Sequence, residues 1–221
     1  MKPESFTKKL FIARDVEGKP NDKELIALRE VEKQLSQDPL FIGLAPFGSV
    51  VGGYSTEQSD VDVYILEDYL PAQRESPAEK LRNELITTKL DEIAKRLHIH
   101  IHFIITHINP EIMLQNLALG IERGNPCAYI ETQLAEMSRL VTGKKINKYR
   151  KIIADELQKL SPEQQQQVAN NIIESLVRRD VMSFSKRERR IPELTEEDHQ
   201  RILNEREKMW TKRVKTIWNI K

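Results

Sequence analysis

The sequence predicts an α/β (α+β) protein in which a small β-sheet with flanking helices is followed by an all-α half. Apolar runs rich in β-branched residues occur only before about residue 107. Helical periodicity and helix-start signals dominate from Asn109-Pro110 onward. The 221 residues are enough for two small domains, each with a buried core, and we place them at residues 1–108 and 109–221.

The first half is expected to begin with one helix and two strands. The helix covers about residues 22–37, because apolar side chains recur there every three or four positions and Asp38-Pro39 supplies a stop. Residues 40–47 form a short apolar run that ends in Gly48, and residues 61–66 are rich in β-branched residues. Both runs predict strands, with a glycine-bearing loop between them.

A helix-start signal marks the next element. Ser76 is a typical N-cap residue, Pro77 suits the first turn, and Glu79 stands three residues after the cap. These residues predict a helix that ends near residue 96, and the apolar residues of 97–106 then predict a third strand.

The second half predicts helices throughout. Helix-start signals recur at Ser161-Pro162-Glu163-Gln164 and at Thr195-Glu196-Glu197-Asp198. The expected helices cover about 110–123, 126–141, 146–159, 162–184 and 196–218. A helical domain is therefore expected after the sheet.

The composition indicates a folded protein without a disulfide. Hydrophobic residues make up 39% of the chain and charged residues 31%, which is too apolar for extensive disorder. Cys127 is the single cysteine, so an internal disulfide is excluded. No apolar run approaches the roughly 20 residues that cross a bilayer, and the first residues lack the apolar core of a secretory signal. We therefore expect cytoplasmic localisation and no membrane partner.

The charge is divided between the two ends of the chain. Residues 1–143 hold 16 Lys and Arg against 22 Asp and Glu, a net −6, and residues 144–221 hold 19 against 12, a net +7. A basic helical half can attract nucleic acid by long-range electrostatics, but a solvated helix surface explains such charge more often. Nucleic acid is therefore a less favoured partner.

Candidate site residues flank the loop between the first two strands. Gly48-Ser49 ends the first strand, where exposed backbone N–H groups and a hydroxyl suit phosphate oxygens. Asp60 and Asp62 stand two residues apart at the start of the second strand, so both carboxylates leave the same face. Two adjacent carboxylates repel unless a cation lies between them, and such oxygen ligands suit Mg²⁺ that carries a nucleoside triphosphate.

Residues 41–66 contain a predicted strand, a Gly-Ser pair, a loop and an Asp-x-Asp pair, in that order. This order resembles the signature of the DNA polymerase beta-like nucleotidyltransferases. The resemblance implies a small mixed β-sheet nucleotidyltransferase core. It also implies transfer of a nucleoside monophosphate from a nucleoside triphosphate to a hydroxyl acceptor, with release of pyrophosphate. Asp60 and Asp62 would be the metal ligands for Mg²⁺ or Mn²⁺. The nucleotide-binding residues would be Gly48, Ser49 and Ser59.

The third strand departs from the pattern of this family. Active relatives take a third carboxylate from it, but residues 97–106 contain no acid. Strand alternation places His98, His100 and His102 on one face, and the segment is similar to the corresponding strand of aminoglycoside adenylyltransferases. We therefore predict His100 and His102 as catalytic residues, with His100 as a metal ligand. A second departure is Gly52-Gly53, where many relatives carry a basic residue before glycine.

Three interpretations of these histidines stay open. A histidine serves as the third ligand or as general base, since neutral imidazole binds Mn²⁺ or Zn²⁺ better than Mg²⁺ and accepts a proton near pH 7. Alternatively, the fold has lost transferase chemistry and keeps nucleotide or metal binding, as a regulatory or antitoxin-like protein. In the third interpretation a carboxylate comes from elsewhere, with Glu67, Asp68 or Glu111 nearest along the chain, or the histidines only line the sheet surface.

The leading hypothesis is a metal-dependent nucleotidyltransferase that acts on a small-molecule or protein hydroxyl. Its partners would be a nucleoside triphosphate and an unidentified hydroxyl acceptor. A protein partner or a second copy of the chain is a further candidate.

Overall fold

In a computed structural model of the chain, the described residues are 22–48, 60–68, 76–139, 143, 145–188 and 195–220. They form seven helices and a sheet of three strands, so the expected α+β class with a small mixed sheet is confirmed. The chain divides into two compact units. Unit 1 comprises Met1–Ile108 and Leu140–Lys144, and unit 2 comprises Asn109–Arg139 and Lys145–Lys221.

Unit 1 contains the sheet and two helices. In chain order these are α1 (Asp22–Leu35), β1 (Phe41–Phe47), β2 (Val61–Glu67), α2 (Pro77–Leu97) and β3 (Ile101–His107). The strands lie in the order β1-β2-β3, with β1 antiparallel to β2 and β2 parallel to β3. The start of β2 therefore lies between the end of β1 and the start of β3.

One face of this sheet packs against α1 and α2. Val61, Val63 and Ile65 are fully buried at alternate positions of β2, and they share a core with apolar side chains of both helices. The core residues are Leu25, Ala27, Leu28, Val31, Leu35, Phe41, Leu44, Val61, Val63, Ile65, Ile86, Leu90, Ile93 and Ile101. Because Asp60 and Asp62 alternate with these valines, their carboxylates project from the other face.

Helix α2 begins as expected and ends one residue later than expected. The side chain of Ser76 accepts a hydrogen bond from the backbone N–H of Glu79 (3.1 Å). At the other end His98 adopts a left-handed conformation (φ 52°), and the N–H of Ile99 donates to the carbonyl of Ala94 (3.0 Å). Strand β3 consequently starts at Ile101 rather than near residue 97, so placing His98 on the strand's histidine face was wrong: it caps a helix.

Unit 2 is helical throughout the part that the structure describes. Its helices are α3 (Pro110–Glu122), α4 (Glu131–Ser138), α5 (Ile146–Leu157), α6 (Pro162–Glu188) and α7 (Glu196–Trp218). Helix α4 is shorter than expected. The side chain of Asn125 accepts a hydrogen bond from the N–H of Cys127 (3.1 Å), and this local turn competes with helix formation. Within the described ranges, no helix is long and apolar enough to cross a membrane.

The end of α4 is held by residues that are distant in sequence. The indole N–H of Trp218, at the end of α7, donates to the hydroxyl of Ser138 (2.7 Å). The guanidinium groups of Arg150 and Arg213 donate to main-chain carbonyls of residues 137–139 at 2.5–2.9 Å. Burial, together with the nearby charge of Arg213, lowers the pKa of Arg150 to about 10. These partly buried cations therefore satisfy the carbonyls that the helix end leaves open.

Candidate functional site

Four predicted site residues meet at one end of the sheet in unit 1. Asp62 lies at the start of β2 with Asp60 just before the strand, and His102 lies at the start of β3 with His100 just before it. In the parallel pairing Asp62 is directly opposite His102, and the N–H of Val61 donates to the carbonyl of His100 (2.8 Å). The two aspartates and two histidines therefore share the face that lies opposite the helices.

The side chains form two separate pairs. Nδ1 of His102 lies 3.0 Å from Oδ1 of Asp62, and Nδ1 of His100 lies 3.6 Å from Oδ1 of Asp60. The first distance is that of a hydrogen bond, and the second is too long for one. The histidine face of β3 thus points toward the aspartates. A histidine that acts as a metal ligand or general base together with Asp60 and Asp62 must face them in this way. Their catalytic and metal-binding roles stay predictions.

Gly48 fits closely against Asp62. Its backbone has φ +69°, a conformation that side-chain-bearing residues rarely adopt, and a Cβ placed on it would lie 2.1 Å from Oδ2 of Asp62. Only glycine therefore allows the end of β1 and the Asp62 carboxylate to contact each other in this way. The contact also restricts the orientation of the Asp62 carboxylate, since its Oδ2 faces Gly48 while its Oδ1 faces His102. The role of Gly48 at a phosphate stays a prediction.

Two aromatic residues adjoin the pairs, and the sequence interpretation missed both. Phe47 pairs with Asp62 across β1 and β2, and its ring stacks on that of Tyr64 with centroids 4.3 Å apart. The same ring lies edge-on to the imidazole of His102, with centroids 6.2 Å apart. Alternation along one strand could not reveal this neighbourhood, because it depends on the antiparallel register of β1 against β2.

Part of the predicted site lies outside the described residues. Ser49 and Ser59, both expected at the nucleotide, fall within residues 49–59, as does Gly52-Gly53. The roles expected for these residues therefore remain predictions from the sequence.

Two of the carboxylates considered as substitutes for a third acid lie in unit 1, away from Asp60 and Asp62. Glu67 and Asp68 are at the opposite end of β2, and Glu67 is five residues beyond Asp62, about 16 Å along an extended strand. Glu67 is buried and bound there by Arg82, which also pairs with Asp38 (2.9 Å). Burial raises the pKa of the Glu67 carboxyl, and the hydrogen bond from Arg82 opposes that shift. This acid therefore belongs to another junction of unit 1, formed by β2, α2 and Asp38.

Glu111 belongs to helix α3, in unit 2.

Cys127 is unsuited to nucleophilic chemistry. Its thiol is buried in unit 2, and burial raises its pKa to about 12. Because the thiolate is the reactive form, a group with this pKa is inert near neutral pH.

The donor chemistry of the two pairs fits a divalent cation in part. The carboxylates of Asp60 and Asp62 are ligands that Mg²⁺ and Mn²⁺ accept, whereas the facing imidazoles contribute nitrogen, which Mg²⁺ disfavours. Across the described ranges, no group of three or more His, Cys, Asp or Glu side chains is arranged so that it could hold a metal ion. Each pair presents two donors, so water or phosphate oxygens would have to complete the coordination of an ion at either pair.

Asp60, Asp62 and Gly48 are the described residues that carry the resemblance to the polymerase beta-like nucleotidyltransferases. In the structure they lie at adjoining ends of β1 and β2, on an antiparallel strand pair. In the comparisons with known proteins, no protein-family model, no curated protein and no solved structure matches the chain.

Proposed function

We propose that the chain is a metal-dependent nucleotidyltransferase of the polymerase beta-like type. It would transfer a nucleoside monophosphate from a nucleoside triphosphate to a hydroxyl of a small molecule or protein. One observation carries the proposal. Asp62 contacts Gly48 at the end of β1 and shares a strand face with Asp60, so the glycine of the Gly-Ser pair adjoins the Asp-x-Asp part of the sequence pattern.

Each residue has a definite task in this proposal. Asp60 and Asp62 would hold Mg²⁺ or Mn²⁺. A bound ion of this kind neutralises phosphate charge and lowers the pKa of the acceptor hydroxyl. The absence of a side chain at Gly48 leaves room for the Asp62 carboxylate, and the resemblance assigns the main chain of Gly48 to the phosphate oxygens. A neutral imidazole at His100 or His102 can accept the proton that the acceptor hydroxyl loses.

A second candidate function is nucleotide binding without transfer, as in a regulatory or antitoxin-like protein. The observation that favours it is the pairing of Asp62 with His102, because the position opposite Asp62 on β3 holds an imidazole where active relatives supply a carboxylate. Such a protein would bind a nucleoside triphosphate and release no pyrophosphate.

The two candidates separate in one experiment. The purified chain is incubated with each common nucleoside triphosphate, labelled at the α-phosphate, in Mg²⁺ or Mn²⁺ and with panels of small-molecule and protein acceptors. Pyrophosphate release and transfer of label to an acceptor are measured. We expect release with at least one nucleotide, and its reduction to background in an Asp60→Asn, Asp62→Asn double variant.

The matched control is Asp91→Asn, which removes an exposed carboxylate from α2 and should leave the rate unchanged. Equal background for the wild type and the double variant with every nucleotide would refute transfer. Nucleotide binding by the wild type in that case, measured by calorimetry and lost in the double variant, would support the second candidate.

A further inference from the structure

The two Asp-His pairs are not equivalent. Asp62 and His102 approach to 3.0 Å, and the Asp62 side chain is only 20% exposed. Asp60 and His100 are 3.6 Å apart, and the Asp60 side chain is 54% exposed. Asp62 is also confined on its other side by Gly48. The Asp62-His102 pair is therefore the more restricted of the two.

The spacing of this pair matches that of two neighbouring ligands on one metal ion. Donors at about 2.1 Å from an octahedral ion, at right angles to one another, lie about 3.0 Å apart. Nδ1 of His102 and Oδ1 of Asp62 are 3.0 Å apart. An ion about 2.1 Å from both atoms would lie about 1.5 Å to one side of the line that joins them, so the two side chains can bind it once both have rotated toward it.

We propose that Asp62 and His102 together form a cation site that selects Mn²⁺, or a similar ion that accepts nitrogen ligands, over Mg²⁺. The proposal rests on the proposed function, since the ion would serve the same nucleotide site. It identifies the imidazole ligand as His102, whereas the sequence alone favoured His100. Asp60, two residues before Asp62 and on the same face, can supply an additional oxygen donor.

The preference follows from the ligand types. Mg²⁺ favours six oxygen ligands and keeps much of its water, so replacement of one oxygen by an imidazole nitrogen weakens its binding. Mn²⁺ and Co²⁺ accept imidazole and carboxylate in the same coordination sphere. One carboxylate and one imidazole from the protein, with phosphate oxygens and water in the other positions, therefore form a site suited to these ions.

Direct binding tests this inference without reference to activity. The full chain is titrated with Mn²⁺, followed by the electron paramagnetic resonance signal of the free ion, and with Mg²⁺ in competition. Co²⁺ is titrated in parallel, followed by its visible absorption. The titrations are done with and without a non-hydrolysable nucleoside triphosphate. We expect Mn²⁺ to bind at least about tenfold more tightly than Mg²⁺, equivalent to about 1.4 kcal/mol.

Three variants identify the ligand. His102→Asn removes the imidazole and should weaken Mn²⁺ binding on the order of tenfold or more. His102→Asp replaces nitrogen by carboxylate oxygen and should shift the preference toward Mg²⁺. His98→Asn is the matched control: it removes an exposed imidazole near β3, and asparagine tolerates the left-handed conformation that caps α2. Circular dichroism confirms that each variant is folded.

The possible results test the proposed cation site separately from the proposed nucleotide transfer. If Mn²⁺ and Mg²⁺ bind equally, if His102→Asn binds like the wild type, or if neither ion binds with or without nucleotide, the inference is overturned. Nucleotide transfer could still be observed in the first two cases. Conversely, selective Mn²⁺ binding through His102 without any nucleotide transfer would support the proposed cation site and refute the proposed enzymatic activity.

Discussion

Gly48 shows most directly how a single residue shapes the candidate site. Alanine at this position would have to adopt φ +69°, and its Cβ would lie 2.1 Å from Oδ2 of Asp62. The left-handed conformation costs about 1–2 kcal/mol for a residue with a Cβ. We expect Gly48→Ala to lose about this much stability in urea unfolding, and also to displace the Asp62 carboxylate, weakening Mn²⁺ binding on the order of tenfold.

Gly124 provides the matched control for that substitution. Its backbone has φ +73°, but a Cβ placed on it would meet no atom within 4 Å. Gly124→Ala should therefore show the stability loss without the loss of Mn²⁺ binding. If the two variants bind Mn²⁺ equally well, the contact between Gly48 and Asp62 has no part in holding the carboxylate.

The residues of the candidate site were partly predictable for a physical reason. Alternation along a strand is a local property, so the sequence alone could place Asp60 with Asp62 and His100 with His102. The pairing of Asp62 with His102 depends on the register between β2 and β3, which is set by contacts between distant segments. For the same reason the sequence favoured His100 as the metal ligand and could not show that His102 lies opposite Asp62.

At the scale of elements, a partly buried ion cluster joins β2 to α2 and to the residues before β1. Arg82 of α2 binds the carboxylate of Glu67 at the end of β2 and that of Asp38, which precedes β1. Glu67 is 1% exposed, and its Oε1 has no hydrogen-bond partner among the described residues. The cluster therefore depends on Arg82 to compensate a buried negative charge.

Removal of this cation should make stability strongly dependent on pH. In Arg82→Met, Glu67 would be left buried without its cation, which costs about 3–5 kcal/mol near pH 7. Burial already raises the pKa of Glu67 in the folded state. A raised carboxyl pKa means that the folded protein holds a proton more tightly than the unfolded chain, so stability falls as pH rises through the folded-state pKa. Urea unfolding of the variant between about pH 4 and pH 8 should therefore show a smaller loss at low pH.

The double variant Arg82→Met, Glu67→Gln separates the charge from the packing. It removes the buried charge, so it should recover much of the stability at neutral pH and lose the added pH dependence. If Arg82→Met shows an equal loss at every pH, the ionised form of Glu67 is not the cause of the destabilisation.

The ends of elements were the least predictable part of the fold. The start of α2 followed from Ser76, because an N-cap acts on the residues immediately after it. The start of β3 did not, because the apolar pattern continues through Leu97 and Ile99 while the chain turns at His98. Histidine is one of the residues enriched in that left-handed conformation, but any residue other than glycine is uncommon there, so the composition did not indicate the turn.

At the scale of the whole molecule, each unit has its own buried core. The sequence placed the change of character at residues 108 and 109, where local periodicity changes from strand to helix, and the two units also divide there. It did not predict that Leu140–Lys144 would group with unit 1. Gly143 lies against the backbone of Ile42, where an added Cβ would be 2.2 Å from the carbonyl oxygen. Such a contact between distant segments has no signal in local composition.

The stability of unit 2 should depend on the last helix of the chain. Trp218 is fully buried and donates to Ser138, a residue 80 positions earlier, while Arg213 of the same helix holds the end of α4. Trp218→Ala should cost about 3–5 kcal/mol through loss of packing. Trp218→Phe keeps most of the apolar contact and loses the hydrogen bond, so it should cost about 1–2 kcal/mol.

Urea unfolding measures both losses, and hydrogen exchange locates them. Because Trp218 and Arg213 act on the same helix end, faster exchange in Trp218→Ala should appear in α4 as well as in α7. A variant that loses stability while α4 keeps its protection would show that α7 is packed in unit 2 without fixing α4. The described contacts predict the opposite, since two donors of α7, the Trp218 indole and the Arg213 guanidinium, bind at that one helix end.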